Sequence, residues 1–215
     1  MTVKERYKKT IEYFLVNRPD ADTELSYSDP FELLVAVILS AQCTDKRVNM
    51  ITPPLLEKYP DAKSMAEAEP HEIFELIKSC SYPNNKAKHL SGMARMLVRE
   101  FGGIVPSEPS DLQRLPGVGR KTANVVASVV YHKPVMAVDT HVYRVSRRLG
   151  LVRNAKTPLS AEIQLSENIP EEMIHKAHHW LILHGRYVCK SRNPLCSQCG
   201  LKELCKFYGE KNKKK

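Results

Sequence analysis

The sequence predicts an all-α fold. Apolar residues recur at helical spacing nearly throughout, helix-start signals precede the longest apolar run, and few segments alternate as half-buried strands do. In the first segment Val3, Tyr7, Ile11, Phe14 and Leu15 share a helical face. Asp29-Pro30-Phe31-Glu32 then supplies a cap, a proline at the first helical position and an acid in the first turn. The run that follows, LLVAVILSA, is apolar on all sides, so that helix is expected to be central and buried. Shorter helices are expected at about 65–79, 84–101 and 110–115. Residues 121–130 hold more valine than a helix prefers and on propensity alone suit a strand. Thr157-Pro158 starts another helix, and 171–184 reads as helical up to Gly185. There is no internal repeat, and the one low-complexity stretch, the terminal KNKKK, is expected to fray.

A chain of 215 residues is long enough for one large domain or two small ones around a real hydrophobic core. The N-terminus has no continuous hydrophobic run and so no secretory signal, and the apolar run Leu33 to Leu39 is too short to span a bilayer. These features predict a cytoplasmic protein without membrane association, whose six cysteines stay reduced unless they hold metal. The net charge of +9 is unevenly spread. Residues 112–150 carry seven Lys/Arg against one Asp, and residues 186–215 carry nine against two Glu, which leaves the rest of the chain acidic. Either the basic segments are solvated faces or they meet a polyanion, and their concentration favours the polyanion. Neither reads as an amphipathic basic helix for a membrane surface.

The segment Leu115-Pro116-Gly117-Val118-Gly119-Arg120-Lys121 is the first place chemistry shows. Two glycines one residue apart permit positive φ and close backbone approach to a ligand. A helix starting directly afterwards points free N–H groups at the turn, which suits a phosphate. Lys121 falls in the first turn of that helix, where the macrodipole and Arg120 both disfavour its protonated form. It is therefore either a phosphate-binding lysine or a nucleophile able to form a Schiff base. Asp139 comes eighteen residues later, in Ala137-Val138-Asp139-Thr140-His141, and reads first as the N-cap of the next helix. A capping carboxylate can also serve a reaction.

Cys189, Cys196, Cys199 and Cys205 are separated by six, two and five residues. Thiolate sets of this size hold zinc or an iron–sulfur cluster, and with one close pair instead of two the spacing leans away from zinc. Cys43 and Cys80 are left over and are expected to be buried thiols. Between the first two clustered cysteines runs Lys190-Ser191-Arg192-Asn193-Pro194-Leu195, a basic loop pinned at both ends. Lys190 and Arg192 then either touch phosphate or are simply solvated.

Taken together, the hairpin, the Asp139 segment and the cysteine spacing resemble endonuclease III, the bifunctional DNA glycosylase and AP lyase family of the helix-hairpin-helix superfamily. The likeness covers most of residues 1–210, including His178-His179-Trp180-Leu181-Ile182-Leu183-His184-Gly185-Arg186-Tyr187. It implies two helical domains flanking a cleft. One is a six-helix domain, roughly 22–134, ending in the helix-hairpin-helix motif. The other joins 1–21 to 135–215 and carries a [4Fe–4S] cluster on Cys189, Cys196, Cys199 and Cys205. The resemblance also makes 121–130 helical.

By that resemblance Lys121 matches the catalytic lysine and Asp139 the catalytic aspartate, while Gln42, in Ser40-Ala41-Gln42-Cys43-Thr44-Asp45, matches a residue that fills the hole left by an extruded nucleotide. Further DNA contacts are implied at Gly117, Val118, Gly119, Arg120 and His141. The implied partner is double-stranded DNA with damaged bases, oxidised pyrimidines foremost, or abasic sites. A monomer is expected, associated with the nucleoid if the source is bacterial. His178, His179 and His184 are expected to hydrogen-bond or to pack at the domain interface. One departure stands out: where the family commonly inserts an aliphatic wedge into the base stack, the loop Ser81-Tyr82-Pro83 offers Tyr82, which bears on lesion and opposite-base preference. Two rivals are a monofunctional adenine or mismatch glycosylase of the same superfamily, which usually lacks the lysine, and a non-catalytic iron–sulfur DNA-binding protein, which needs no Asp139.

Overall fold

The computed structural model describes residues 1–212, with side chains through 210, and among them every regular element is helical. The terminal KNKKK lies outside the described residues except for the helical backbone of Lys211 and Asn212. Two compact units divide the chain: Met1–Thr23 with Lys133–Lys215, and Glu24–His132.

The first unit opens with α1 (Val3–Asn17), started by a capping box in which Thr2 and Glu5 satisfy each other's backbone N–H. Tyr7 and Phe14 are buried along it, but Leu15, placed on the same face by its spacing, is 37% exposed: one residue past Phe14, it turns out of the contact.

The second unit is built around α2 (Pro30–Ser40), whose N-cap Asp29 accepts from Glu32 N–H at 2.9 Å. Every residue from Leu33 to Leu39 is buried, because α3 (Asp45–Lys58), α6 (Pro83–Phe101) and α8 (Arg120–Tyr131) pack around the helix. No helical pattern was expected at 45–58, where Pro53-Pro54 interrupts the signal, yet Val48, Ile51 and Leu55 are buried along it. The helix expected at 65–79 is two, α4 (Ala62–Glu67) and α5 (Pro70–Ile77). Pro70 disfavours a helical conformation at the residue before it, and Ala68 and Glu69 are extended. With α6 (Pro83–Phe101), α7 (Pro109–Leu112) and α8 (Arg120–Tyr131), this unit holds seven helical segments where six were expected.

Helix α8 settles 121–130 against propensity. Each β-branched residue costs the helix about 0.5 kcal/mol or less. Burying Val125 and Val126, 7% and 0% exposed, returns about 1.5–3 kcal/mol apiece, so burial wins.

The rest of the first unit follows Lys133: α9 (Thr140–Leu149), α10 (Pro158–Asn168), a 3-10 turn at Glu171–Met173, α11 (Ile174–Tyr187), two more 3-10 turns and α12 (Lys206–Asn212). Its core centres on Trp180, stacked on Phe14 at 5.7 Å with its indole N–H donating to Arg18 O at 2.8 Å. Gly185 does not end α11, as its sequence suggested, but lies inside it. A Cβ there would stand 2.8 Å from the Cβ of His141, so the glycine exists to let α11 cross close to α9.

Candidate active site

Helix α7 leads into the hairpin, where Val118 N–H donates to Leu115 O at 3.0 Å across Pro116 and Gly117. Gly117 has φ +80°, and a Cβ on it would meet His89 of α6 at 2.8 Å, so both demands on this glycine come from the fold itself. Gly119 differs from the expectation. Its φ is −86°, ordinary for any residue, and a Cβ there would find open space among the described residues. As the N-cap of α8 it supplies no side chain, so the leading N–H groups of that helix lack a side-chain cap. Arg120 and Lys121 occupy the first turn, both exposed, while Val118 is buried as the hairpin's anchor. The Lys121 ammonium makes no hydrogen bond or ion pair among the described residues.

Asp139 is the N-cap of α9, and its Oδ1 accepts from Val142 N–H at 2.7 Å. The carboxylate is half-buried, and among the described residues its other oxygen has no partner. Two residues on, His141 Nδ1 lies 3.1 Å from Arg144 Nη2. Because a guanidinium only donates, Nδ1 accepts and the neutral ring carries its proton on Nε2.

Gln42 and Tyr82 are exposed, and both have left-handed backbones, with φ of 54° and 55°. A hydrogen bond from Ser81 Oγ to Gln42 O, 2.6 Å long, links their two loops.

In the first unit Cys189, Cys196, Cys199 and Cys205 line one pocket, walled also by Leu149, Val188 and Phe207. Among the described residues no three His, Cys, Asp or Glu side chains stand as the ligand set of a metal ion. Four soft donors around one apolar pocket fit an iron–sulfur cluster. The loop before them is held from outside by two arginines one turn apart on α9. Arg144 donates to Cys189 O at 3.0 Å and to Gly185 O at 2.9 Å. Arg148 donates to Lys190 O at 2.7 Å and Ser191 O at 3.0 Å, reaches Cys189 Sγ at 3.5 Å and stacks over Phe207. Lys190 and Arg192 themselves are exposed.

The three histidines of α11 pack and hydrogen-bond. His178 Nδ1 pairs with Ala137 O at 2.8 Å, and burial lowers the pKa of His179 while Asp22, 3.5 Å away, opposes the shift. Burial, helped by Arg18, pushes His184 down to about 4; its ring lies edge-on to Phe14.

Sequence reasoning passed over Arg144, Arg148, Ser81 and Lys86. The arginine pair had a signal in its four-residue spacing. Lys86 had a clearer one, since it shares the stripe of Leu90, Met93 and Leu97, where a charge is out of place.

Residues 35–171 match the model of the HhH-GPD superfamily base excision DNA repair proteins, and residues 189–205 match the iron–sulfur binding domain of endonuclease III. The second match begins at Cys189 and ends at Cys205. The endonuclease III of Rickettsia felis is 46% identical over 200 residues, covering 93% of each chain, and that of Bacillus subtilis is 46% identical over 197 residues, covering 92% of this chain and 90% of its own. A solved trapped endonuclease III–DNA covalent intermediate superposes with a TM-score of 0.93 at 42% identity, covering 99% of this chain and all of that one. The chain therefore belongs to the endonuclease III family of HhH-GPD base excision repair proteins: it is a DNA glycosylase and AP lyase with a [4Fe–4S] cofactor.

Proposed function

We propose that Lys121 is the nucleophile of this activity and that the substrate is duplex DNA carrying an oxidised pyrimidine or an abasic site. The carrying observation is an exposed, unpaired lysine in the first turn of a helix whose N-terminus no side chain caps. The N–H groups behind Gly119, which no side chain caps, donate with Arg120 to the backbone phosphate and position the strand without reading its sequence. His141, through Nε2–H, and the loop residues Lys190 and Arg192 offer further phosphate contacts. Gln42 fills the space of the flipped nucleotide while Tyr82 wedges beside it; a ring that stacks, in place of an aliphatic wedge, bears on which opposite base is tolerated.

The Lys121 amine attacks the anomeric carbon as the bond to the damaged base breaks, and the electron pair of that bond leaves with the base. Asp139 uses one oxygen as a cap, which leaves the other to stabilise the developing sugar cation and to take the proton that the new C–N bond releases. Ring opening gives a Schiff base. Loss of a proton from the adjacent sugar carbon then expels the 3′ phosphate, cutting the strand by β-elimination, and water releases Lys121. The four thiolates of Cys189, Cys196, Cys199 and Cys205 hold the cluster, which when bound cross-links the loop between them. A covalent enzyme–DNA intermediate in a relative 42% identical supports this route.

Lys121→Gln keeps the stem and polarity but removes the nucleophilic amine. It should abolish strand cleavage and the borohydride-stable adduct while duplex binding persists. An adduct forming at a rate comparable to the parent's would place the nucleophile elsewhere.

A further inference from the structure

Helix α2 ends in a turn that its own sequence does not favour. Ala41 has φ −57° and ψ 113°, Gln42 has φ 54°, and Cys43 N–H donates to Ser40 O at 3.0 Å. This is type II geometry, whose third position ordinarily takes Gly or Asn. Tyr82, at φ 55° and ψ 49°, is left-handed as well, and it directly precedes Pro83, which itself restricts the residue before it. Both are strained conformations for residues with a Cβ, and such strain persists only where the surroundings over-determine it.

One residue holds both turns. Lys86, 5% exposed, donates from Nζ to Leu39 O at 2.8 Å and to Ala41 O at 2.7 Å, carbonyls that the end of α2 leaves without helical partners. Its backbone N–H donates to Tyr82 O at 3.2 Å. Ser81 adds a second tie through Gln42 O. Among the described residues Lys86 makes no ion pair. Burying an ammonium against neutral carbonyls is a costly way to end a helix, and a glycine cap would end it without that cost. What the ammonium adds is a rigid link between the residue before Gln42 and the residue at the start of α6.

We infer that Lys86 is a positioning residue for duplex recognition, locking the α2 turn to the start of α6 so that Gln42 and Tyr82 enter the base stack as one preorganised pair. The inference rests on the role proposed above for those two side chains. It predicts a loss confined to substrates with a base stack to enter. A single-stranded oligonucleotide with an abasic site has neither a partner strand nor a hole to fill, yet it still offers the anomeric carbon to Lys121.

Lys86→Met, which removes the charge and keeps the bulk, should lower single-turnover cleavage of a duplex containing an oxidised pyrimidine by about 10- to 100-fold. Cleavage of the single-stranded abasic oligonucleotide should stay within about twofold of the parent, since misplacement of the pair does not reach it. In a double-mutant cycle on the duplex, Lys86→Met should cost less in the Gln42→Ala background than in the parent, because the Gln42 share of the pair is already lost and only Tyr82 remains to be misplaced. Ser81→Ala, at a half-buried position, should show the same duplex-only pattern more weakly and serves if Lys86→Met does not fold. Equal losses on duplex and single strand, or full additivity with Gln42→Ala, would overturn the positioning role. A parent enzyme that forms no borohydride adduct with either substrate would instead refute the lysine mechanism.

Discussion

Helices α8 and α9 begin with the same problem, a set of backbone N–H groups with no helical partner, and solve it in opposite ways. Before α8 stands Gly119, which offers no side chain and leaves open space where a Cβ would go. Before α9 stands Asp139, whose carboxylate accepts from Val142 at 2.7 Å. The first end has no side-chain cap and suits an outside anion. The second is satisfied with one oxygen, which leaves the other without a partner among the described residues. In both cases the residue proposed for the chemistry lies at the point where helix geometry breaks, so the absence of a cap is as informative as its presence.

The largest effect expected from testing this contrast is at Asp139. Asparagine caps a helix about as well as aspartate, so Asp139→Asn should leave the melting temperature almost unchanged. Single-turnover base release should nonetheless fall by roughly 100-fold or more, the scale of an acid–base contribution. Near-parental rates would reduce Asp139 to a cap and make the two helix starts differ only structurally.

A smaller effect is expected at the open end. Gly119→Ala should cost α8 about 0.5–1 kcal/mol, since alanine is a poorer N-cap than glycine. Its methyl group meets nothing among the described residues but intrudes where a phosphate would approach. Duplex affinity should therefore fall by roughly tenfold, the scale of one hydrogen bond to a charged group. Unchanged affinity at constant salt would mean that no ligand comes close to Gly119. Gly117 makes the contrast within the same turn: its positive φ and the approach of His89 tie it to folding, whatever binds outside.

Much of this was legible from residue order because it depends on local rules. The caps at Asp29, Asp139 and Thr157 and the buried run of α2 follow from side-chain chemistry within a few residues. The failures came where distant packing outweighed those rules. Proline at 53 and 54 hid α3, and Gly185 suggested a helix end where a close crossing with α9 required it inside. At the site, the cysteine spacing was read directly, but the arginines that hold the loop were not. Arg144 and Arg148 share a helical face by their four-residue spacing, but they act on residues more than forty positions away, and that spacing does not name the partners. Lys86 stands out as a charge on an apolar stripe, but its role was hidden for the same reason, since its carbonyl partners lie 45 and 47 residues earlier.

The smallest effect expected is at the loop those arginines hold, and it separates two ways of gripping a phosphate. Arg144 and Arg148 are committed to backbone carbonyls, which leaves Lys190 and Arg192 as the exposed charges between the first two cysteines. If both touch phosphate, changing them together to Ala should weaken binding to damaged and undamaged duplex by the same factor, since such contacts read no base. The log–log salt slope should also shrink by nearly two units, about 0.9 for each phosphate no longer neutralised. A neutral N–H group at the start of α8 adds no formal charge and displaces no counterion of its own. Gly119→Ala should therefore weaken binding and leave the slope where it was. Titrating both variants across a salt series resolves the two grips in one measurement. A slope unchanged in the Lys190/Arg192 variant would make that loop a solvated surface. The two arginines fastening it to α9 would then be explained by enclosure of the four thiols alone.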